Sequence, residues 1–226
     1  MKIYATADTH GFTKEIEVPA CDLFLHAGDI CADGYKKVWC KKNPGLSLEW
    51  FETVFMSWFQ LYLDDGWVKK AVFTFGNHDW ISGWEASQFN RKHDDIKLVV
   101  NTMIEVDGVK IWATPWSNQF LDWAWMKEPE DLASDYAMIP EGIDILLSHQ
   151  PPAGFGDTIY PVGDKLEDIG SKELAEAIKR IKPKAVVCGH LHSAIGLKEK
   201  DGQKVYGVSF CDEQYRPTYQ PTEIIL

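Results

Sequence analysis

VVCGHLHSAI, residues 186–195, passes from a run of β-branched residues through Cys188 and Gly189 to two histidines, His190 and His192, with one residue between them. A short, continuous apolar run without alternation is the pattern of a strand buried on both faces. Polar residues directly after such a strand sit at its carboxyl end, where open α/β sheets bind their ligands. The arrangement recurs upstream. KIYATA (2–7) leads into Asp8-Thr9-His10, and DLFLHA (22–27) into Gly28-Asp29. AVFTFG (71–76) leads into Asn77-His78-Asp79, and DILLSH (144–149) ends on His149. VKIWATP (109–115) is a further run, followed by Trp116.

Helical patterns separate these runs. LSLEWFETVFMSWFQLYL (46–63) carries Leu46, Trp50, Phe51, Val54, Phe55, Trp58 and Leu61 at helical spacing. SKELAEAIKRI (171–181) is a shorter helix, with Ser171 as its cap and Pro183 as its stop. Strand and helix alternation predicts an α/β fold. EVDGVKIWA (105–113) and AIGLKEKDGQKVYGVSF (194–210) read as hairpins turning on Asp107-Gly108 and Asp201-Gly202. They add antiparallel strands, so mixed sheets are expected. No repeat, low-complexity tract or linker divides the chain, and residues 1–226 are expected to form a single domain.

Composition narrows the function. The chain has 226 residues, 45% apolar and 25% charged, within the range of a globular protein. Its 23 basic against 34 acidic residues give a net charge of −11. That balance lacks the basic footprint of a nucleic-acid-binding protein, and no stable nucleic-acid complex is expected. It is compatible with a small phosphate ester, because bound metal ions can supply local positive charge. The five cysteines, Cys21, Cys31, Cys40, Cys188 and Cys211, form no C-x-x-C pair. No apolar signal region or membrane-length run is present. A reduced, cytoplasmic protein without a membrane partner is the expectation.

The strand-end residues, Asp8, His10, Asp29, Asn77, His78, His149, His190 and His192, are oxygen and imidazole donors without a thiolate. Such a set suits manganese, iron or zinc in a reactive centre better than a structural zinc. Five of the seven histidines lie in this set. Of the other two, His26 is expected to be buried and bonded to backbone, and His93 to be solvated. Cys188 and Cys211 read as core residues.

The ordered pattern D-x-H, G-D, G-N-H-D, H, G-H-x-H across residues 8–192 resembles the calcineurin-like metallophosphoesterase superfamily. LFLHAGD, GNHD, IWATPW, IPEGIDILLSHQPPAGFGD, CGHLH and SFCDEQYRPTYQP are similar to the metallophosphoesterase-domain proteins first described from brain and their bacterial relatives. The resemblance implies two mixed β-sheets packed as a sandwich and flanked by helices. It also implies two metal ions, manganese first and iron or zinc as alternatives. Asp8, His10 and His192 would hold one ion, Asn77, His149 and His190 the other, and Asp29 would bridge them. The implied reaction is phosphodiester hydrolysis by a metal-bridging hydroxide, with small phosphodiesters, cyclic nucleotides among them, as substrates. Alternatives are a phosphomonoesterase acting on a small metabolite, and a metal-binding scaffold with little turnover.

Further roles follow from that resemblance. His78 would deliver a proton, and Asp79 would fix its tautomer and orientation. Asn77 and His78 would face the substrate. The aromatic stretch TPWSNQFLDWAW (114–125) would either wall the site, with Trp116 as the substrate-facing residue nearest the strand end, or form a satellite hydrophobic cluster or dimer contact. The protein serine/threonine phosphatases of the superfamily place an arginine shortly after the G-D motif. Here Asp29 is followed by Ile30-Cys31-Ala32-Asp33-Gly34, without it. The loop from Cys31 to Gly45, with four lysines, is longer than the family norm and is expected either to shape access or to form an exposed insertion.

Overall fold

A computed structural model describes residues 1–32, 45–159 and 167–226. Most of the lysine-rich 31–45 loop lies outside the described residues. In chain order the elements begin with β1 (Ile3–Thr6), β2 (Cys21–Ala27), α1 (Gly45–Trp50), α2 (Met56–Asp64), β3 (Val68–Thr74), α3 (Gly83–Asn90) and β4 (Ile96–Leu98). There follow β5 (Thr102–Val106), β6 (Val109–Thr114), β7 (Ser117–Asn118), β8 (Met126–Lys127), α4 (Pro129–Ala137) and β9 (Ile145–Ser148). The rest are β10 (Thr158–Ile159), β11 (Glu167–Asp168), α5 (Lys172–Ile181), β12 (Ala185–Cys188), β13 (Gly196–Lys200), β14 (Gln203–Gly207) and β15 (Thr222–Glu223).

Two mixed sheets dominate. The first runs β15-β1-β2-β3-β4, parallel except for β15. The second runs β13-β14-β12-β9-β6-β5, with a parallel centre and an antiparallel hairpin at each edge. Both hairpins turn where expected. Asp107 and Gly108 have φ of 48° and 84°, and Asp201 and Gly202 have φ of 52° and 75°. Two consecutive left-handed residues match the right-handed twist of the flanking strands.

Strand alternation sorts side chains between layers. Leu23, Leu25 and Ala27 of β2 face inward, where they meet Ile145 and Leu147 of β9 and Ala185 and Val187 of β12 in the core between the sheets. Phe24 points the other way and packs with Phe73 against Phe51, Phe55 and Phe59 of the helical layer. On the outer face of the second sheet, Trp112, Leu146 and Val186 pack against Leu132 and Tyr136 of α4 and Leu174 and Ile178 of α5. The result is the expected sandwich of two mixed sheets flanked by helices.

The long helical pattern departs from regular spacing. A π-helical segment, Phe51–Phe55, interrupts it. The inserted residue rotates the register, so Phe51, Phe55 and Phe59 are buried while Leu46, Val54 and Leu61 are exposed. The shorter helix begins as expected, with the Leu174 N–H donating to Ser171 Oγ at 3.1 Å. No described helix is long and apolar enough to cross a membrane.

Candidate metal centre

The carboxyl ends of both sheets meet along one rim, held by main-chain bonds. Asp8 N–H donates to the Gly28 carbonyl at 2.9 Å, and His10 N–H to the Asp29 carbonyl at 3.0 Å. Gly189 N–H donates to the His149 carbonyl at 3.0 Å, which joins the ends of β12 and β9. His149 Nδ1 lies 2.8 Å from the Ala27 carbonyl and ties one sheet to the other.

Four of the predicted ligands have left-handed backbones: Asp8 (φ 52°), His10 (42°), Asp29 (55°) and His190 (67°). Such conformations in non-glycine residues cost of order 1–3 kcal/mol each and persist only where surrounding structure enforces them. Here the enforcing groups are visible. Both oxygens of Asp8 accept from His190 N–H, at 3.0 and 2.9 Å, and Oδ2 also accepts from Ser209 Oγ–H at 2.5 Å.

Two motif glycines leave room for these side chains. A Cβ at Gly76 would lie 2.2 Å from Asp29 Oδ1 and 2.6 Å from His149 Nε2. A Cβ at Gly189 would lie 2.5 Å from both Ala7 Cβ and Asp8 Oδ2. Their role is close approach, independent of any need for positive φ.

The donor atoms fall into two adjoining sets. In the first, His10 Nε2 lies 3.2 Å from His192 Nε2, which is 3.8 Å from Asp8 Oδ1. In the second, Asn77 Oδ1 lies 3.0 Å from His149 Nε2 and 2.9 Å from His190 Nδ1. Asp29 stands between them, with Oδ2 3.4 Å from His149 Nε2 and 3.8 Å from His78 Nε2. Ligand atoms of Asp8, His10 and His192 lie within 4.8 Å of one another, as do those of Asp8, Asp29 and His149 and those of His10, Asp29 and His78.

The chemistry of the set fits metal ions. His149 and His192 each commit Nδ1–H to a backbone carbonyl, Ala27 and Asp212, at 2.8 Å. Their Nε2 atoms therefore face the cluster, the arrangement usual for metal-bound histidine. A neutral His149 turns its lone pair toward Asn77 Oδ1 and Asp29 Oδ2. Acceptors that face acceptors need a cation or a proton between them.

The local electrostatics agree. Burial works against charge on His149, but the Asp29 and Asp8 carboxylates outweigh it and push the imidazole up to about 9. Burial likewise opposes ionisation of Asp29, yet His149 and His78 hold its carboxyl well below the usual range. His190 goes the other way. Burial and the neighbouring His149 charge push it down to about 3, leaving it neutral and ready to donate a lone pair. Asp8 and Asp29 thus concentrate negative charge that favours cations at this rim.

His78 adjoins Asp29 and His10. Its N–H donates to Asp29 Oδ1 at 2.8 Å, and its ring packs edge-on against His10 at 4.8 Å. Asp79 has a different position from the one expected. Instead of bonding to the His78 imidazole, its carboxylate accepts from the N–H groups of Ile30 (3.1 Å), Cys31 (2.8 Å) and Gly76 (2.9 Å). Asp79 therefore pins the G-D loop to the G-N-H-D loop. Burial and the nearby Asp29 charge raise its pKa, and the backbone donors oppose that rise.

Trp116 is also placed differently. It packs against the outer core of the second sheet, T-shaped to Trp125 at 5.0 Å, with Lys127 Nζ 3.9 Å from its ring centroid. Trp123 from the same stretch lies over His78 instead, with ring centroids 4.2 Å apart. An Ala124 N–H bond to the Asn77 carbonyl, at 3.1 Å, holds that segment to the G-N-H-D loop. Tyr215 is a second aromatic neighbour, 4.7 Å from His10 and 5.0 Å from His192. Its only signal in the sequence was membership of the SFCDEQYRPTYQP segment.

The remaining histidines are structural. Gly28 N–H donates to His26 Nδ1 at 3.2 Å, while His26 Nε2 lies 3.1 Å from Thr9 Oγ1. His93, expected in solvent, is half-buried and stacks on Phe89 at 4.1 Å.

Comparison with known proteins agrees with the fold and the motif order. Metallophosphoesterase domain-containing protein 1 of Homo sapiens is 28% identical over 234 residues, spanning 100% of this chain and 71% of its own length. The Mus musculus protein of the same name matches equally. The crystal structure of TT1561 of Thermus thermophilus covers 91% of this chain and 88% of its own, with a TM-score of 0.56 at 17% identity, a likeness of fold. The calcineurin-like phosphoesterase pattern matches residues 1–194. The chain belongs to the calcineurin-like phosphoesterase family.

Proposed function

We propose that this protein is a two-metal phosphodiesterase acting on small phosphodiesters, cyclic nucleotides among them. The observation that carries this reading is the pair of adjoining donor sets on either side of Asp29, with the neutral Asn77 among the donors. Asp8, His10 and His192 would hold one ion, and Asn77, His149 and His190 the other, with Asp29 shared. Oxygen and imidazole donors without thiolate are compatible with manganese, iron or zinc, and manganese is taken first on the family likeness. Two such ions would charge-stabilise the phosphate oxygens and lower the pKa of water.

The chain's own residues supply the rest. Asn77 adds no negative charge, so two carboxylates would face two divalent ions and leave the centre attractive to an anionic diester. His78 stands beside Asp29 without belonging to either set, and its Nε2 would hand a proton to the departing alkoxide. Trp123 lies against that imidazole and limits its tilt. Asp79 acts one step back, by holding the two loops in register. The buried thiols of Cys21, Cys31, Cys188 and Cys211 suit the reducing cytoplasm. The proposed partner is a small phosphate ester, since a net charge of −11 disfavours a nucleic-acid backbone.

The test is hydrolysis of bis(p-nitrophenyl) phosphate beside p-nitrophenyl phosphate, after chelation and manganese addition. Manganese-dependent cleavage with the diester preferred is expected. Faster cleavage of the monoester would favour a phosphomonoesterase, and cleavage of neither by the two-metal protein would favour a binding role.

A further inference from the structure

Tyr215 is 44% exposed yet adopts a left-handed backbone, φ 57°. A bulky residue in that conformation is uncommon, and this half-exposed ring packs on His10 and His192 and not in the core. The turn beneath it is built to hold it. Asp212 Oδ1 accepts from Gln214 N–H at 2.9 Å and Arg216 N–H at 3.0 Å, while Oδ2 accepts from Arg216 Nε–H at 2.8 Å. Asp212 N–H donates to the Arg216 carbonyl at 3.0 Å, and Cys211 bridges Pro217 at the turn's base. The Asp212 carbonyl accepts His192 Nδ1–H at 2.8 Å. One turn therefore orients a candidate metal ligand and sets an aromatic ring beside the donor cluster.

A groove of about 200 Å³ opens next to that ring. His190 and His192 line it together with the apolar Leu191, Ile169 and Tyr215 and the polar Ser193 and Glu213. Its volume is below the roughly 300–1,000 Å³ of drug-sized ligand sites and suits one ring-sized group. A phosphoryl group bound at the donor cluster would leave its organic substituent at the mouth of this groove. The Glu213 carboxylate disfavours a second anionic group there.

We infer that this groove receives the uncharged organic group of the phosphate ester, and that Tyr215 is the specificity-determining wall against which a planar ring stacks. The inference rests on the two-metal reading above and adds the class of substituent, a single planar ring over an alkyl chain. Stacking on an aromatic side chain is tolerant of ring chemistry, so aryl groups and single nucleobases would both fit.

The test measures binding of phenylphosphonate and methylphosphonate to the manganese-loaded full chain by calorimetry. Neither can be hydrolysed at its carbon–phosphorus bond, so no turnover is needed. The unaltered protein should bind phenylphosphonate about tenfold more tightly, the scale of one aromatic stack. Tyr215→Ala and Tyr215→Asn should remove most of that preference with metal content unchanged, and Tyr215→Phe should keep it. Asparagine tolerates the left-handed backbone, so Tyr215→Asn separates loss of the ring from distortion of the turn. A preference that survives both ring deletions, or an unaltered protein that shows no preference or binds neither phosphonate, would overturn the inference. A Tyr215-dependent preference without diester hydrolysis would leave the groove standing and remove the phosphodiesterase reading. Diester hydrolysis with a preference indifferent to Tyr215 would do the reverse.

Discussion

The metal-facing rim and the two edge hairpins use the same backbone conformation for different ends. At Asp107-Gly108 and Asp201-Gly202, left-handed residues lie at solvent-exposed turns, and a Cβ at either glycine would meet nothing within 4 Å. At Asp8, His10 and Asp29 the same conformation is buried and held by bonds from neighbouring loops. In the hairpins it reverses a chain. At the rim it aims side chains from distant segments at one small volume. Left-handed backbone marks function where it is buried and its side chains converge.

That contrast can be broken most severely at Gly76. Gly76→Ala would force a methyl group against Asp29 and His149, both buried and bonded in place. A misplacement of about 1 Å can cost about 10²-fold, so displacing both groups should lower turnover about 10⁴-fold. Loss of bound metal should accompany it, and metal analysis beside diester kinetics reads both. Normal turnover in this variant would contradict the packing described.

Replacing His78 should do less. His78→Ala removes the proposed proton donor and should lower kcat about 10³-fold while two ions stay bound. Loss of metal in step with activity would instead make His78 a ligand.

A third prediction concerns pH and a histidine just behind the rim. Burial against Phe55 and Phe73 pushes His26 down to about 3, from its ordinary 6.5. The folded protein keeps it neutral, whereas the unfolded chain binds a proton below 6.5. Its contribution is intact above that pH and is lost at about 1.4 kcal/mol per pH unit as pH falls toward the folded value. Urea unfolding at pH 7 and pH 5 should include this loss, and His26→Gln should reduce the slope by that share while the like contribution of His190 remains. An equal slope in both proteins would assign the acid sensitivity elsewhere.

The smallest effect belongs to the hairpins. Gly108→Ala meets open space but keeps φ of 84°, so it should cost about 1–2 kcal/mol of stability. Diester activity should not change. Reduced activity in the folded variant would show that this distant turn is coupled to the rim.

The rim was legible in the sequence because each contributing strand is short, apolar and followed at once by its polar residue. VVC before Gly189-His190 and LFLHA before Gly28-Asp29 place those residues at strand ends without tertiary information. The roles of Asp79 and Trp116 were less legible, since both depend on where a loop folds. Asp79 is adjacent to His78 in sequence, but its carboxylate turns to the Ile30, Cys31 and Gly76 amides. Trp116 is closest to the strand end, yet the chain bends back and brings Trp123 to His78. The π-helical segment escaped because one inserted residue leaves a helical pattern recognisable while changing the face it buries.

The central claim is a pair of ions sharing Asp29, and paramagnetic resonance of the manganese-loaded protein tests it most directly, combined with a count of bound metal. Two manganese ions per chain with an exchange-coupled spectrum are expected, since ions in such two-metal centres lie about 3.5–4 Å apart. Asp29→Asn should weaken the coupling. A single ion per chain, or two ions with the spectrum of isolated manganese, would contradict the claim.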